Sequence, residues 1–399
     1  MSGKETGKGS LRICLTGGWF ESGNVGDNAI LAGITDSIRE KSRASFIVLT
    51  SSPENVAVAH GLKALAPRRN PLALGHALWT SDALVFTGGT PFYDGLKHMI
   101  YFSLLALTAR LRGIPIFILG ISLRTMDNSL CRRLTRFICG TASYVGAREE
   151  TTRLALDRLI GREGRARLLP DPGTQMRPAA SDWAEDEAKS LTGNGRGPRV
   201  AVCLRDLGSP SSFRAAHFGQ NYSPQDIGRL LSSVAELCTY LIEKHRARVI
   251  FLPMHIEPPD DDRVPARECA RLIQDPKVLS RVHLAERQYG PREMKALLGA
   301  MDAVVGVRFH SLVLSASMGV PNYALGYAGK TAALMDFLGR KQYSQSVREL
   351  DADRLKRDVG ALFAALQEQR RTLAQRNKTI NARYATELEA ILRIVRGRG

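Results

Sequence analysis

The sequence predicts an α/β protein of two Rossmann-like domains, whose parallel sheets face each other across a cleft, followed by a C-terminal helical tail. Short apolar or β-branched runs alternate with longer helical patterns along the chain, as in successive βα units of parallel sheets. The length of 399 residues favours two domains, since one domain has about 100–200 residues. A change of composition at residues 178–198 marks the boundary between them.

The first half of the sequence contains six strand candidates separated by helical patterns. Apolar residues spaced three and four apart predict the helices, and short apolar runs bounded by turn residues predict the strands. The predicted strands are 11–16, 45–50, 83–87, 114–119, 144–147 and 167–169. The predicted helices between them include 29–41, 101–111, 128–139 and 149–160.

A linker and a second βα series follow. Residues 179–198 combine proline, serine, an acidic run and glycines, which is typical of a linker. The later strands are predicted at 199–204, 248–253, 282–285, 303–307 and 322–325, and the helices at 224–244, 265–273, 291–301 and 311–318. The predicted domains are therefore 1–178 and 199–345, with a basic helical tail at 346–399. Leucines about seven residues apart in the tail indicate a core-facing helix or a coiled coil.

The charge of the chain points to anionic partners. There are 56 Lys and Arg against 39 Asp and Glu, a net charge of +17. Residues 104–170 hold 12 basic and 5 acidic residues, and residues 340–399 hold 14 and 7, so these two segments carry most of the surplus. The basic residues of the tail are not interleaved with aromatic residues as on nucleic-acid-binding surfaces, and we expect no nucleic-acid partner.

The cysteines and the apolar stretches predict a cytoplasmic protein. Six cysteines show no CxxC spacing, which favours a reduced compartment, and no secretory signal is visible. The longest apolar stretch, residues 101–123, is interrupted by Arg110, Arg112 and Pro115, which disfavours a membrane span. We therefore expect a cytoplasmic protein that touches a membrane at most peripherally.

Two glycine-containing segments follow predicted strands. The first contains Gly23, Asn24 and Asp27, and the second is Gly88-Gly89. Glycines at such turns let backbone N–H groups face an anion, and the carboxyl ends of parallel strands are where open α/β sheets bind ligands. The alternative for the first segment is a turn in which Asp27 or Asn28 caps the helix.

Arg148 directly follows the predicted strand 144–147. An arginine at a strand end presents a planar set of donors that suits phosphate or carboxylate. A structural salt bridge from Arg148 to Glu149 or Glu150 is the alternative interpretation.

The densest set of functional side chains lies at residues 304–330. Alternate strand residues face alike, so Arg308 and His310 are expected on the same side of a strand end. Ser311 is expected to open the next helix, which places His310 near a positive helix end, and Lys330 follows the next strand. Two cations and an imidazole can hold a phosphorylated carboxylic acid and move a proton. A buried structural histidine is the alternative.

Metal binding is not predicted. His255 is followed by Asp260, Asp261 and Asp262, but no second histidine lies at ligand spacing, and a solvated loop is the expected structure. Its position after a strand nevertheless puts His255 near the predicted cleft.

These motifs together resemble the polysaccharide pyruvyltransferase family over roughly residues 11–340. The residues that carry the resemblance are Gly23-Asn24-Val25-Gly26-Asp27, Gly88-Gly89, Arg148, Arg308-Phe309-His310, Pro321 and Lys330. The resemblance implies a GT-B-like fold and transfer of the pyruvyl group of phosphoenolpyruvate onto sugar hydroxyls, with ketal formation and release of phosphate. It also implies that Arg148, Arg308, His310 and Lys330 bind the donor, and that His310, Arg308 and Arg148 are catalytic.

The expected chemistry agrees with these residue types. Phosphoenolpyruvate carries a phosphate and a carboxylate and needs several fixed cations, and His310 is the acid that protonates the methylene carbon or the base that takes a hydroxyl proton. Candidates for the acceptor side or the cleft are Gly23, Asn24, Asp27, Gly88, Gly89, Asp171 and His255. No metal or other cofactor is expected beside phosphoenolpyruvate as co-substrate.

The expected acceptor is a sugar, an oligosaccharide or a lipid-linked glycan. A lipid diphosphate acceptor would bring the basic segments to the anionic inner face of a membrane. Two alternatives remain: a GT-B-type glycosyltransferase that uses a nucleotide sugar, and a non-catalytic anion-binding protein.

Overall fold

The computed structural model describes residues 10–20, 22–193, 195–208, 222–258, 260–327 and 329–397. Within these residues the chain forms two compact units. The first unit comprises residues 10–20, 30–176 and 383–397, and the second comprises 22–29 and 177–382. The boundary therefore falls near the predicted one, but the chain crosses it more than once.

The first unit is built on a seven-stranded parallel sheet with the strand order β3-β2-β1-β4-β5-β6-β7. The strands are β1 Leu11–Thr16, β2 Ala44–Leu49, β3 Lys63–Leu65, β4 Ala83–Thr87, β5 Ile116–Ile121, β6 Tyr144–Ala147 and β7 Ala166–Leu168. The helices between them are α1 Val25–Lys41, α2 Pro53–His60, α3 Pro71–Trp79, α4 Leu96–Arg112, α5 Ser129–Thr141 and α6 Glu150–Ile160.

Each face of this sheet has its own apolar core. In β1, Ile13 and Leu15 belong to one buried cluster and Cys14 belongs to the other. β4 alternates in the same way, with Leu84 and Phe86 on the side of Cys14. This two-residue period buries both faces, which is why the strands read as continuous apolar runs.

The second unit is built on a six-stranded parallel sheet with the order β10-β9-β8-β11-β12-β13. Its strands are β8 Arg199–Cys203, β9 Arg248–Phe251, β10 Val282–Leu284, β11 Ala303–Gly306, β12 Asn322–Gly326 and β13 Ser344–Ser346. Within the described residues, the helices from position 181 to the C-terminus are α7 Ser181–Thr192, α8 Pro224–His245, α9 Arg263–Arg271, α10 Pro276–Leu279, α11 Pro291–Gly299, α12 Phe309–Ser317, α13 Gly329–Phe337, α14 Ala352–Ala364 and α15 Leu366–Arg396.

The linker and tail differ from their predictions. Residues 179–198 contain α7, whose Ala184 and Ala188 are buried, so most of this segment is part of the second unit and is not a linker. The tail is not a separate segment: Leu355 and Val359 of α14 lie in the core of the second unit, whereas the end of α15 belongs to the first. The regularly spaced leucines therefore face protein cores.

All six cysteines lie in the described part of the chain, where they are buried free thiols. Burial raises the pKa of Cys14, Cys139 and Cys203 to about 12. Because the thiolate is the reactive form, we expect the native protein to react negligibly with a thiol reagent at mildly alkaline pH. In denaturant all six thiols should react. Rapid labelling of a native cysteine, located by peptide mass, would contradict the buried arrangement.

Candidate active site

The second unit gathers functional side chains at one edge of its sheet. Strands β9, β8, β11 and β12 are neighbours in that order. Because they are parallel, the segments that follow them lie at the same edge, where α/β sheets bind ligands. The side chains that follow these strands are Arg205 after β8, His255 after β9, Arg308 and His310 after β11, and Lys330 after β12.

Arg308 forms a buried ion pair with Asp262. Its Nε lies 2.8 and 3.0 Å from the two carboxylate oxygens, and its Nη2 lies 2.6 Å from Oδ1. Asp262 also accepts the backbone N–H groups of Met254 and His255, each at 3.1 Å. These contacts fix the guanidinium, since two-pronged arginine–carboxylate pairing is directional.

His255 and Asp262 are buried, so the prediction of a solvated loop at residues 255–262 is wrong for these two residues. Nδ1 of His255 lies 3.1 Å from the carbonyl oxygen of Asp260. That carbonyl also accepts from Nη2 of Arg308 at 3.2 Å. The loop turns inward because its carboxylate and carbonyl groups neutralise and bind a buried arginine.

Arg205 is a second buried cation at this edge, and the sequence prediction missed it. Its Nη1 donates to the hydroxyl of Tyr327 at 2.6 Å, and its Nη2 lies 3.5 Å from Oδ2 of Asp260. The guanidinium also lies 4.9 Å from the centroid of the Tyr327 ring. Burial lowers the pKa of Arg205, and the nearby charge of Arg308 acts in the same direction. Arg205 comes directly after a predicted strand, the same signal that singled out Arg148.

Lys330 is the third cation of this group. It lies in the first turn of α13 and is half-buried. Its Nζ is 5.1 Å from the ring centroid of Phe309 and 5.8 Å from that of Tyr327. The ring of Tyr327 therefore contacts both Lys330 and Arg205, so the two cations belong to one site.

His310 lies in a helix and not on a strand. β11 ends at Gly306, Arg308 is the N-cap residue of α12, and His310 is in its first turn. The prediction that Arg308 and His310 share one side of a strand is therefore wrong. The predicted position near a positive helix end is confirmed, although the helix starts two residues earlier than Ser311.

The segment containing Gly23, Asn24 and Asp27 belongs to the second unit, contrary to its predicted place in the N-terminal domain. The N–H of Val25 donates to the carbonyl of Met254 at 3.0 Å, and the carbonyl of Gly23 accepts from Gln288 at 2.8 Å. Asn24 accepts the N–H of Gly26 at 2.9 Å and so begins α1. Asp27, in the first turn of α1, is half-buried.

Gly26 brings the start of α1 against the imidazole of His310. A Cβ atom at this position would lie 2.8 Å from Cγ and Cε1 of His310 and closer still to Nδ1. Only glycine therefore accommodates the ring where it lies. The N-termini of α1 and α12 both approach His310, and both carry positive partial charge.

Arg148 and Asp171 form a buried cluster in the first unit. Nε of Arg148 lies 2.9 Å from Glu149 and 2.7 Å from Oγ of Ser122, and Nη1 lies 2.9 Å from Asp171. Burial alone would lower the pKa of Arg148, but Glu149 and Asp171 hold it above its ordinary value. The salt bridge to Glu149 that the sequence left open is present, and the donor-binding and catalytic roles of Arg148 stay predictions.

Gly88 and Gly89 form a tight turn after β4. Gly88 has a φ of +107°, and a Cβ atom there would lie 2.6 Å from Cα of Gly18. The carbonyl of Gly89 accepts the N–H of Ser122 at 3.0 Å. Glycine at position 88 is thus required by backbone conformation and by close approach of two turns. A role of these glycines in ligand binding stays a prediction.

Known proteins of similar fold include Anabaena HepE in complex with UDP and the UDP-GlcNAc 2-epimerase of Methanocaldococcus jannaschii. HepE aligns with a TM-score of 0.60 and 13% identity over 96% of this chain and 99% of its own. The epimerase aligns with a TM-score of 0.59 and 14% identity over 88% and 92%. At such identities the likeness shows the fold alone, which confirms the predicted GT-B-like class.

Sequence comparison is more specific. The amylovoran biosynthesis protein AmsJ of Erwinia amylovora is 23% identical over 407 residues, covering 85% of this chain and 89% of that protein. The family model for polysaccharide pyruvyl transferase matches residues 24–329. This match contains Asn24 and Asp27 of the glycine segment at α1, together with Arg205, Asp262 and Arg308. The chain therefore belongs to the polysaccharide pyruvyl transferase family and is a transferase.

Proposed function

We propose that this transferase takes its pyruvyl group from phosphoenolpyruvate and that the donor binds at the strand ends of the second unit. The observation that carries the proposal is the set of three basic side chains, Arg205, Arg308 and Lys330, grouped with His310 at neighbouring strand ends. Membership of the family indicates that a pyruvyl group is transferred. The positive charge of these residues complements the negative charge of phosphoenolpyruvate.

The charge of the group suits a phosphorylated carboxylate. A phosphate monoester carries about −1.5 to −2 at pH 7, and the carboxylate of phosphoenolpyruvate adds one more negative charge. Asp260 and Asp262 offset part of the charge of the three cations, which reduces the repulsion between these like charges before the donor binds. A bound trianion would then be held by fixed donors in a partly dry site, where such contacts are strongest.

The orientation of Arg308 supports a direct contact with the donor. Asp262 and the carbonyl of Asp260 engage its Nε and Nη2. Within the described part of the chain, Nη1 of Arg308 has no hydrogen-bond partner, which leaves that nitrogen for a ligand. Asp262 thus acts as a positioning residue, because it holds the guanidinium and does not itself face an anion.

The proposed reaction is an addition followed by a substitution at C2 of the enolpyruvyl group. Protonation of the C3 methylene lets one sugar hydroxyl add to C2 and lose its proton. Phosphate then leaves with the C2–O bond electrons, and a second hydroxyl of the same sugar attacks C2 and loses its proton. One of the two released protons replaces the proton given to C3, and the other leaves with phosphate. Fixed cations stabilise the departing phosphate.

His310 is the proposed proton carrier. The N-termini of α1 and α12 both lie next to its imidazole, two residues after Arg308 in the chain. Histidine is the side chain most often used to transfer protons in this way. It serves as the acid toward C3 or as the base toward a hydroxyl, and both roles predict loss of turnover with donor binding largely kept.

The proposed acceptor is a sugar unit of a polysaccharide or of its oligosaccharide or lipid-linked precursor. Family membership supports a glycan acceptor, and the name of AmsJ places that relative in the synthesis of a polysaccharide, amylovoran. Asp27, half-buried in the first turn of α1, is a candidate acceptor contact in the second unit. The proposed reaction needs neither a metal ion nor a nucleotide.

Replacement of Lys330 by alanine should weaken phosphoenolpyruvate binding at least about tenfold. A hydrogen bond to a charged group contributes about 1.5–3 kcal/mol, and 1.4 kcal/mol is a factor of about ten. Isothermal titration calorimetry measures this without knowledge of the acceptor. Lys277→Ala, at an exposed lysine of α10, is the matched control and should bind as the wild type does.

The same calorimetric titration distinguishes a phosphoenolpyruvate-dependent pyruvyltransferase from a glycosyltransferase that uses a nucleotide sugar. The solved structures of similar fold include complexes with UDP, so UDP-glucose is titrated beside phosphoenolpyruvate. His310→Asn should keep phosphoenolpyruvate binding within a few-fold of the wild type and lose phosphate release. Binding of UDP-glucose with no signal for phosphoenolpyruvate would replace the proposal by a glycosyltransferase.

A further inference from the structure

Helix α4 of the first unit exposes an apolar stripe to solvent. Its inner face, with Met99, Phe102 and Leu105 among others, packs in the core of the unit. Its outer face carries five large apolar side chains that are 38–81% exposed. These are Leu96, Ile100, Leu104, Leu107 and Leu111, here called the α4 stripe.

The α4 stripe is continuous along the helix. With 3.6 residues per turn, its five side chains fall within an arc of roughly 80°. Lys97 and Arg112 border the arc on one side and Arg110 on the other. A helix face of this composition is costly to leave in water, and single exposed leucines elsewhere on a surface do not form such a band.

The neighbouring helices extend this surface. α3 and α5 pack on either side of α4 and share its apolar core. α3 exposes Leu72 and Trp79, and α5 exposes Leu130. The ring of Trp79, 67% exposed, lies 4.7 Å from the guanidinium carbon of Arg112 and so extends the surface at the C-terminal end of α4. Among the described residues, eight of the fourteen exposed large apolar side chains lie on these three helices.

Every Asp, Glu, Lys or Arg residue on α4 and α5 is basic. α4 and α5 carry three Lys or Arg residues each and no Asp or Glu, and α3 has no Asp, Glu, Lys or Arg. Lys97, Arg110 and Arg112 lie on α4, and Arg132, Arg133 and Arg136 lie on α5. The nearest acid before α4 is Asp94, which accepts the N–H groups of Asp127 and Asn128 just ahead of α5.

We propose that this surface docks the protein on the headgroup layer of an anionic lipid bilayer. Leucine, isoleucine and tryptophan side chains would enter the boundary between headgroups and acyl chains, and the flanking lysine and arginines would pair with lipid phosphates. No helix within the described ranges is long and apolar enough to cross a bilayer. The contact is therefore made by the outer face of a folded helix layer.

Charge favours a lipid surface over a second copy of the chain. Two copies joined through the α4 stripe would bring their basic borders together, and like charges across an interface oppose association. An anionic bilayer instead satisfies the apolar and the basic residues at once. The basic helix α15 has no exposed large apolar side chain among its described residues. The α4 stripe therefore differs from α15 because it combines exposed apolar side chains with basic ones.

Vesicle co-sedimentation tests the proposal. The wild type should bind phosphatidylcholine vesicles containing phosphatidylglycerol at low salt and bind much less to phosphatidylcholine alone or at high salt. Leu104→Glu combined with Leu111→Glu should reduce binding at least about tenfold, because two apolar contacts are lost and two like charges face the lipid. Val58→Glu with Leu272→Glu makes the same charge change at exposed sites on α2 and just after α9, and should bind as the wild type does.

Each other outcome overturns the proposal. Absence of wild-type binding at low salt rejects a membrane surface, and equal loss in both double variants shows that net charge alone controls binding. Loss of a wild-type dimer in Leu104→Glu with Leu111→Glu, without vesicle binding, assigns the surface to a second copy. Leu104→Glu with Leu111→Glu leaves the second unit unchanged, so phosphoenolpyruvate titration of this variant reports separately on the proposed donor site.

Discussion

Alanine at Gly26 should reduce turnover by about a hundredfold while the protein stays folded. The added Cβ atom overlaps the imidazole of His310, whose Cγ and Cε1 would be 2.8 Å away. Nonbonded carbon atoms prefer about 3.5–4.0 Å, so the ring must move by about 1 Å or turn away. A displacement of this size at a reacting group costs about 10²-fold in rate. Because the ring is the end of a flexible side chain, the free energy of unfolding should change little.

Two comparisons show whether Gly26→Ala acts through His310. Gly228, on α8, has open space around it, so Gly228→Ala should keep wild-type turnover. In a double-mutant cycle, Gly26→Ala should add almost nothing to the loss caused by His310→Asn, because residues that act together are not additive. Acceptor-dependent phosphate release and thermal unfolding are the measurements. Additive losses would assign Gly26 a role of its own.

The periodic elements of the fold could be predicted because their signal is local. Buried parallel strands such as β1 and β4 are continuous apolar runs, and the intervening helices show three-and-four spacing. The strands that were missed, β3 and β13, each have three residues and lie at a sheet edge. β13 is Ser-Gln-Ser, which has no apolar pattern at all.

The partners of the site could not be predicted because they are distant in sequence. Arg308 was found from its place after a strand, but its partner Asp262 lies 46 residues earlier in a loop that reads as solvated. The packing of the Gly26 segment against His310 joins residues from opposite ends of the family match. Such pairs are set by tertiary packing, and periodicity carries no information about them.

Removal of Arg308 should destabilise the protein by about 3–5 kcal/mol, because it leaves a buried carboxylate without its cation. Burial already raises the pKa of Asp262, and the charge of Arg308 opposes that shift. In Arg308→Ala the pKa of Asp262 must therefore rise further. Donor binding should also be lost, since the group that faces the phosphate or carboxylate is gone. Chemical unfolding and calorimetry measure the two effects.

The dependence of this destabilisation on pH identifies its cause. A carboxyl whose pKa is raised by folding binds a proton more tightly in the folded state, so its contribution to stability falls as pH rises toward the folded pKa. The difference in unfolding free energy between wild type and Arg308→Ala should accordingly be smaller at mildly acidic pH than at pH 8. The double variant Arg308→Ala with Asp262→Asn has no carboxylate at position 262 at any pH. Its loss of stability relative to the wild type should therefore depend less on pH than that of Arg308→Ala.

Variants of Arg308 and Asp262 also distinguish the effect of this ion pair on stability from its effect on donor binding. Asp262→Asn alone keeps an oxygen acceptor for the N–H groups of Met254 and His255 but weakens the hold on Arg308. If Asp262 only positions the guanidinium, this variant should bind phosphoenolpyruvate more weakly than the wild type but better than Arg308→Ala. Equal loss in both variants would mean that Arg308 needs its carboxylate partner to bind an anion at all. Binding unchanged in Arg308→Ala, at a temperature where the variant is folded, would remove Arg308 from the donor site.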